Sequence, residues 1–412
     1  MITYRSAYLV LSASFFFLLA TQGSFFPEDY YIADEATTAD ANLFFLIFWP
    51  SYFFCFLLLY WNRKVQRTRA PISLIILAAA VILSVIFSEL PEVSARRAAG
   101  LFLSLGCALL IVKSAKDPQE IVNALYFGLI PLVLLSVAGA LAIPSRAIHY
   151  ASPDLIGDWK GIFSHKNTTA YVACIALVLT GHQLKTRGPR IVIIIAFCAS
   201  LLLLVKANSL FIFLMAPICF ITASILGQKS RASRLYMRLI SIGAILTLLP
   251  IAIITIYFPR WPELLGTTLN YRTEIWSTLL SAQSGRELLG HGYGAVHNVG
   301  ENSIFWRYGE WRIQTLGHGH SGQIDVYAAT GLIGWCAINF FLLSTMTKLD
   351  LSAPGPARHQ GVVFAFLAWI VITRSFVESN LLETGRLDWF LCSVAILSLH
   401  RWYRKNQQES NS

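Results

Sequence analysis

The sequence predicts an all-α polytopic integral membrane protein that crosses a bilayer about twelve times. Composition is the first reason. Of 412 residues, 56% are hydrophobic and only 13% charged, with mean hydropathy +0.59, against roughly 25% charged residues in a soluble domain. Apolar runs of membrane-spanning length are the second reason, and clustering of the basic residues between those runs is the third.

A span needs about 20 apolar residues. Such runs fall at roughly 6–22, 41–61, 71–88, 98–113, 121–142, 167–184, 190–206, 208–227, 238–258, 322–346, 360–378 and 387–403. The turn around Lys206 is very short, so the seventh and eighth runs make the least separated pair. The first run follows Arg5 and lacks a small-x-small cleavage signature, so it reads as an uncleaved span and not a signal peptide. With no repeat and no low-complexity linker, residues 1–412 read as one transmembrane domain. Residues 259–321 form its large hydrophilic loop.

Orientation follows from charge. With the N-terminus inside, 19 of the 32 basic residues but only four of the 22 acids face the cytoplasm. Every inner loop is then basic, and the first outer loop, EDYYIADEATTAD, has no Lys or Arg. Both termini are therefore expected in the cytoplasm, with the 259–321 loop and segments 88–97, 143–166 and 379–386 on the outer side.

The same distribution argues against a nucleic-acid partner. The net charge of +10 is spread as short clusters beside apolar runs, not gathered on one binding face. The seven cysteines all fall inside apolar runs without a CxxC pair, so they read as buried hydrophobes rather than disulfides or metal ligands.

Polar chemistry collects on the outer side. GIFSHKN, residues 161–167, places His165 and Lys166 before the sixth span, where Asn167, Thr168 and Thr169 can cap the helix and a helix N-terminus attracts anions. NYRTEIWSTLLSAQSGRELLGHGYG, residues 270–294, opens with Arg272 on a short amphipathic helix and ends in a Gly-x-Gly-x-Gly turn. A plain interfacial helix with a snorkelling Arg would carry the same pattern. GHGHSGQIDVYAATGLIG, residues 317–334, sets His318 and His320 at the mouth of the tenth span. A metal would need a third ligand at better spacing than the segment offers. An imidazole near neutrality can instead serve as a base, or simply hydrogen-bond at the interface. In TRSFVESNLLETGRLDWF, residues 373–390, Arg374 and Glu378 are one helical turn apart and are expected to pair. Arg96 and Arg97 complete the outer cations, as a phosphate site or as headgroup anchors. Five segments thus carry Arg, Lys or His to one membrane face, which suits an anionic ligand such as a diphosphate.

These segments resemble the O-antigen ligase and polysaccharide polymerase superfamily, most closely the exopolysaccharide polymerases of the ExoQ-like, Wzy type. GIFSHKN is similar to the family's G-x-F-x-H-K-N element. NYRTEIW with LLGHGYG is similar to its Arg-Thr-x-x-Trp helix and Gly-rich turn. GHGHSGQIDVYAATGLIG and RSFVESNLL match its His-x-His span start and its late Arg-Ser-x-x-Glu-Ser element. The likeness covers about residues 70–400, with specific motifs only from 161 onward. It departs at VKANSLF, where the family often has Ser-Arg/Lys-Thr and Lys206 is the basic residue at hand.

The resemblance implies a GT-C-like fold and inverting glycosyl transfer at the periplasmic face of the bacterial inner membrane, with neither metal nor cofactor. It implies a donor glycan on undecaprenyl diphosphate, an acceptor glycan or lipid, surrounding membrane lipids and a chain-length regulator protein as partners. It assigns catalysis to His320 and Arg272, with His318 as the alternative base. Substrate binding falls to Lys166, His165, Arg374, Glu378, Arg96 and Arg97. Polymerase and ligase share these motifs. A transporter without chemistry is the third reading, and charge-poor span centres weigh against it.

Overall fold

The computed structural model describes residues 69–150, 155–226, 272–346, 356–383 and 386–402, together with Phe54, Leu57 and Leu235. The runs at 6–22 and 238–258, nearly all of 41–61 and the opening of the long loop lie outside the described residues. Within them all regular structure is helical, apart from one isolated antiparallel bridge between Ile148 and Trp159.

Prolines and caps set the helix starts. Helix α1 (Ile72–Ile86) follows Pro71, α2 (Pro91–Ser114) opens on Pro91 and α3 (Pro118–Ala142) on Pro118. Proline fits the first helical turn because its φ is already helical and no N–H partner is needed there. Asp117 caps α3 by accepting from the Glu120 N–H at 2.8 Å. The short α4 (Pro144–Ala147) leads to the bridge, then α5 (Lys166–Arg187) and α6 (Ile191–Ala207) follow. Asn208, left-handed at φ 49°, turns the chain into α7 (Leu210–Leu226). Beyond it come α8 (Arg272–Ser281), α9 (Ile304–Tyr308), α10 (Gly322–Met346), α11 (Pro356–Arg374) and α12 (Leu387–Trp402).

Three described helices, α2, α3 and α10, are long and apolar enough to cross a membrane, and α1, α6 and α7 are shorter apolar helices. Every residue from Val363 to Ile372 in α11 and from Leu387 to Leu399 in α12 is buried, so these two form the centre of the bundle. Around them α2 packs on α12, α7 on α11, α1 on α10, and α3 on α5 and α6. Exposed rows of large aliphatic residues remain on α1 (Ile72, Ile75, Ile82), α6 (Ile191, Val192, Ile195) and α7 (Leu210, Leu214, Ile218). Faces of this kind suit hydrocarbon, because each helix satisfies its own backbone.

Three expectations change. Helix α2 starts at Pro91, so Arg96 and Arg97 ride on a helix and not in a loop. The described part of the long loop is no lone interfacial helix. Ile275, Trp276, Leu279, Val296, Ile304, Phe305 and Ile313 form a second core against Ala328 of α10. The tenth run is also broken, with Gly331 at φ 62° and ψ −166°. The loop fills the break with backbone. Ala328 and Ala329 carbonyls accept from the His291 and Gly292 N–H groups at 3.0 and 2.9 Å, while the Leu332 and Ile333 N–H groups donate to the Glu287 and Leu288 carbonyls at 2.8 and 3.2 Å. A Cβ at Gly290 would stand 2.6 Å from the Ala329–Gly331 backbone, which explains glycine there.

Candidate active site

The loops at one end of the bundle converge, and local chain geometry decides which side chains point inward. At the start of α5, His165 is the N-cap, its Nδ1 accepting from the Asn167 N–H at 3.2 Å. This corrects the expectation that Asn167 caps the helix. The Asn167 side chain is spent across the site instead, donating to Glu378 Oε1 at 2.9 Å and accepting from Ser209 Oγ at 3.2 Å. Glu378 also lies 4.0 Å from the Arg272 guanidinium, a loose ion pair. A single carboxylate thus ties the first residues of α5 and α8 to the segment after α11, with the α6–α7 turn joined through Ser209.

The His318 and His320 rings pack edge to face, 4.2 Å between centroids. Trp276 Nε1 donates to the Gly319 carbonyl at 2.9 Å, and the Gly322 N–H to the Glu378 carbonyl at 2.9 Å, so the turn is held from two elements. His320 takes φ 53°, an uncommon conformation outside glycine. Burial lowers the His320 pKa below its ordinary value. Glu378 and Asp325 pull it back up, and Arg272 and Arg386 push it down. Burial lowers His318 further, with His320 next to it adding repulsion. Both rings are therefore neutral imidazoles at pH 7, and the Nδ1 of each is buried without a hydrogen-bond partner.

The other cations are engaged. Lys166 Nζ pairs with Asp158 at 2.5 Å, and Asp158 also accepts from Asn208 at 3.1 Å. Arg97 donates to the carbonyls of Gly294, His297 at 2.8 Å and Asn298 at 2.6 Å, clamping the glycine turn. Arg96 is exposed on α2. The expected Arg374–Glu378 pair does not form. Helix α11 ends at Arg374, which is buried, pairs with Asp388 at 2.5 Å and stacks over Tyr171 at 5.2 Å. The backbone still closes one turn there, the Glu378 N–H donating to the Arg374 carbonyl at 2.9 Å, but Asp388 draws the Arg374 side chain away while Glu378 turns to Asn167 and Arg272.

Several residues here have no role that sequence motifs alone assign. Asp325 accepts from His297 Nε2 at 2.9 Å, from the Gly319 N–H at 3.0 Å and from Ser379 Oγ. Glu383 lies by Arg386 at 3.5 Å, and burial raises its pKa. Asp325 did have a signal, being an acid just inside an apolar run. His297 had none. Comparison with protein-family models and with curated proteins finds no match. Among the described residues no three or more His, Cys, Asp or Glu side chains group as a metal site. Chemically, the site offers a guanidinium with a loose partner, two neutral imidazoles and several carboxylates within one cluster.

Proposed function

We propose that this chain is a GT-C-like membrane glycosyltransferase of about twelve spans. It polymerises undecaprenyl-diphosphate-linked oligosaccharide repeat units at the periplasmic face of the bacterial inner membrane. The observation that carries the reading is the meeting of Arg272, Asn167, Glu378 and the His318–His320 pair from separate parts of the chain. Four segments that resemble the polymerase family contribute those residues.

In this reading an acceptor hydroxyl attacks the anomeric carbon of the donor sugar. The bond from that carbon to the diphosphate oxygen breaks, and undecaprenyl diphosphate leaves with the electron pair. The hydroxyl proton passes to the neutral His320 imidazole. One displacement inverts the anomeric centre. Arg272 stabilises the charge growing on the diphosphate, the term that is usually largest in such transfers. Its loose pair with Glu378 keeps it oriented while leaving its other N–H donors for oxygen ligands. Lys166, Arg97 and Arg374 shape the site through the partners already described, and His165 orders the start of α5.

The break in α10 favours a transporter as a second reading, since transporters use interrupted helices at their sites. Here loop backbone fills that break, which makes a transport pathway the weaker reading. Deleting the gene in its host and profiling lipid-linked glycans separates the cases. Single repeats on undecaprenyl diphosphate are expected to accumulate. Accumulated full-length chains would instead identify a ligase, and an unchanged glycan profile would overturn glycosyl transfer.

A further inference from the structure

The catalytic turn is also held from its buried side, by a group that the mechanism above does not use. Asp325 lies in the first turn of α10 and is 7% exposed. Its Oδ1 takes the Gly319 N–H at 3.0 Å, inside the His318–Gly319–His320 turn, and stands 2.9 Å from His297 Nε2. Its Oδ2 accepts a hydrogen bond from the hydroxyl of Ser379, next to Glu378. His297 is in turn stacked on Phe305 of the second core, ring centroids 5.0 Å apart. Gly319 has no room for a side chain, because an added Cβ would meet the Asp325 carboxylate and, at 2.6 Å, Leu279. One buried carboxylate therefore joins the loop core, the histidine turn and the segment that bears Glu378.

We propose that Asp325 is a positioning residue for His320, fixing the turn that presents the imidazole to the acceptor hydroxyl, with His297 and Ser379 holding the carboxylate in place. The proposal rests on the glycosyl-transfer reading for its kinetic consequence but not for its physical one. The charged groups acting on His320 are Glu378 and Arg272 at the site, Arg386 after α11 and Asp325 beneath the turn, with the His318 ring alongside. Removing the Asp325 charge takes away one group that favours the imidazolium.

Two measurements on the full-length protein in membranes test this. Turnover of a lipid-linked repeat by Asp325→Asn is expected to fall about 10–100-fold in kcat, by analogy with carboxylates that hold metal-bound histidines in place. KM for the donor should hold, and the acidic limb of the pH–rate profile should move to lower pH. Asp325→Glu, which keeps the charge but displaces the oxygen, should not restore kcat. His297→Gln retains a donor toward Asp325 and should stay within a few-fold of wild type. The second measurement is the pH dependence of diethylpyrocarbonate labelling at His320, read by peptide mass spectrometry. Its midpoint should shift down in Asp325→Asn, and this shift stands even if wild type shows no transfer. Failure of wild-type turnover alone would thus sink the functional reading and not this one. An unmoved labelling midpoint would overturn the positioning role, as would equal losses in kcat, donor binding and thermal stability.

Discussion

The two ends of the helical bundle are both polar, and they differ in the kind of group left unpaired. At the end away from the site, Gln119 meets Asn123 at 2.8 Å, His182 at 3.0 Å and the Gln360 amide, while Gln183 reaches Asn123 at 2.7 Å. What remains unpaired there is amide oxygen, on Gln183 and Gln360, and hydroxyl, on Ser114, Thr345 and Ser398. At the site end the unpaired atoms include the Nδ1 of His297, His318 and His320, amid Arg272, Glu378 and Asp325. Neither an amide oxygen nor an aliphatic hydroxyl binds a proton near neutrality, whereas an imidazole does. One end is built to stay as it is, and the other holds groups that can exchange protons with a ligand.

The largest expected effect separates a structural cation from a functional one. Arg374 and Asp388 are 4% and 5% exposed. Arg374→Ala should cost about 3–5 kcal/mol, because it strands a buried carboxylate. Arg374→Met combined with Asp388→Leu should recover most of that in a detergent melting curve. No recovery would mean that Arg374 acts at the site itself. Arg272 should behave in the opposite manner. Arg272→Ala is expected to leave melting unchanged and to lower transfer about 100–1000-fold, the loss typical for one electrostatic stabiliser. His320→Ala should match it in abolishing polymer at normal membrane levels. Wild-type polymer from either variant would remove that residue from the mechanism.

Hydrophobic periodicity made the bundle end legible and left the site partly hidden. Apolar runs locate α1, α3, α5, α6, α7, α11 and α12 to within a few residues, because each helix must cover its own backbone with apolar side chains. The turn after Lys206 was expected only as a very short gap between two runs, and the left-handed Asn208 that makes it was not singled out. Pairings were not legible. Spacing put Arg374 opposite Glu378, but each side chain has a partner far along the chain, Asp388 for Arg374 and Asn167 and Arg272 for Glu378, and spacing along one segment does not show these. His297 could not be singled out among the outer histidines for a related reason. Its importance comes from the 297–325 contact, which depends on the loop folding its own core against α10.

A smaller effect belongs to the opposite end. Gln119→Leu removes a group shared by three neighbours and should destabilise by about 1–3 kcal/mol, the cost of leaving buried polar partners unsatisfied. Transfer per folded molecule should not change. A loss of turnover larger than the loss of folded protein would show that the two ends are coupled, and the contrast drawn above would fail.

The smallest effect tests how the loop is attached to the bundle. Glu89, between α1 and α2, meets Arg286 at 3.0 Å, His291 at 2.9 Å and Arg307 at 2.8 Å. Burial works against its carboxylate, yet His291 and Arg307 outweigh that and hold its pKa below the ordinary 4.5. A lowered folded value means that the pairing stabilises the docked loop above pH 4.5 and is lost as pH falls through the folded value. Because Glu89 and its two arginine partners are partly exposed, Glu89→Gln should cost only about 1 kcal/mol or less at pH 7. Hydrogen exchange should speed up in residues 287–298 and not in α11 or α12. The same segment in wild type should approach the mutant's rate as the pH drops below 4.5, and the two should then coincide. If exchange in 287–298 is unaltered at both pH values, the exchanged backbone bonds at Gly331 hold the loop unaided, and the charges around Glu89 are incidental to docking.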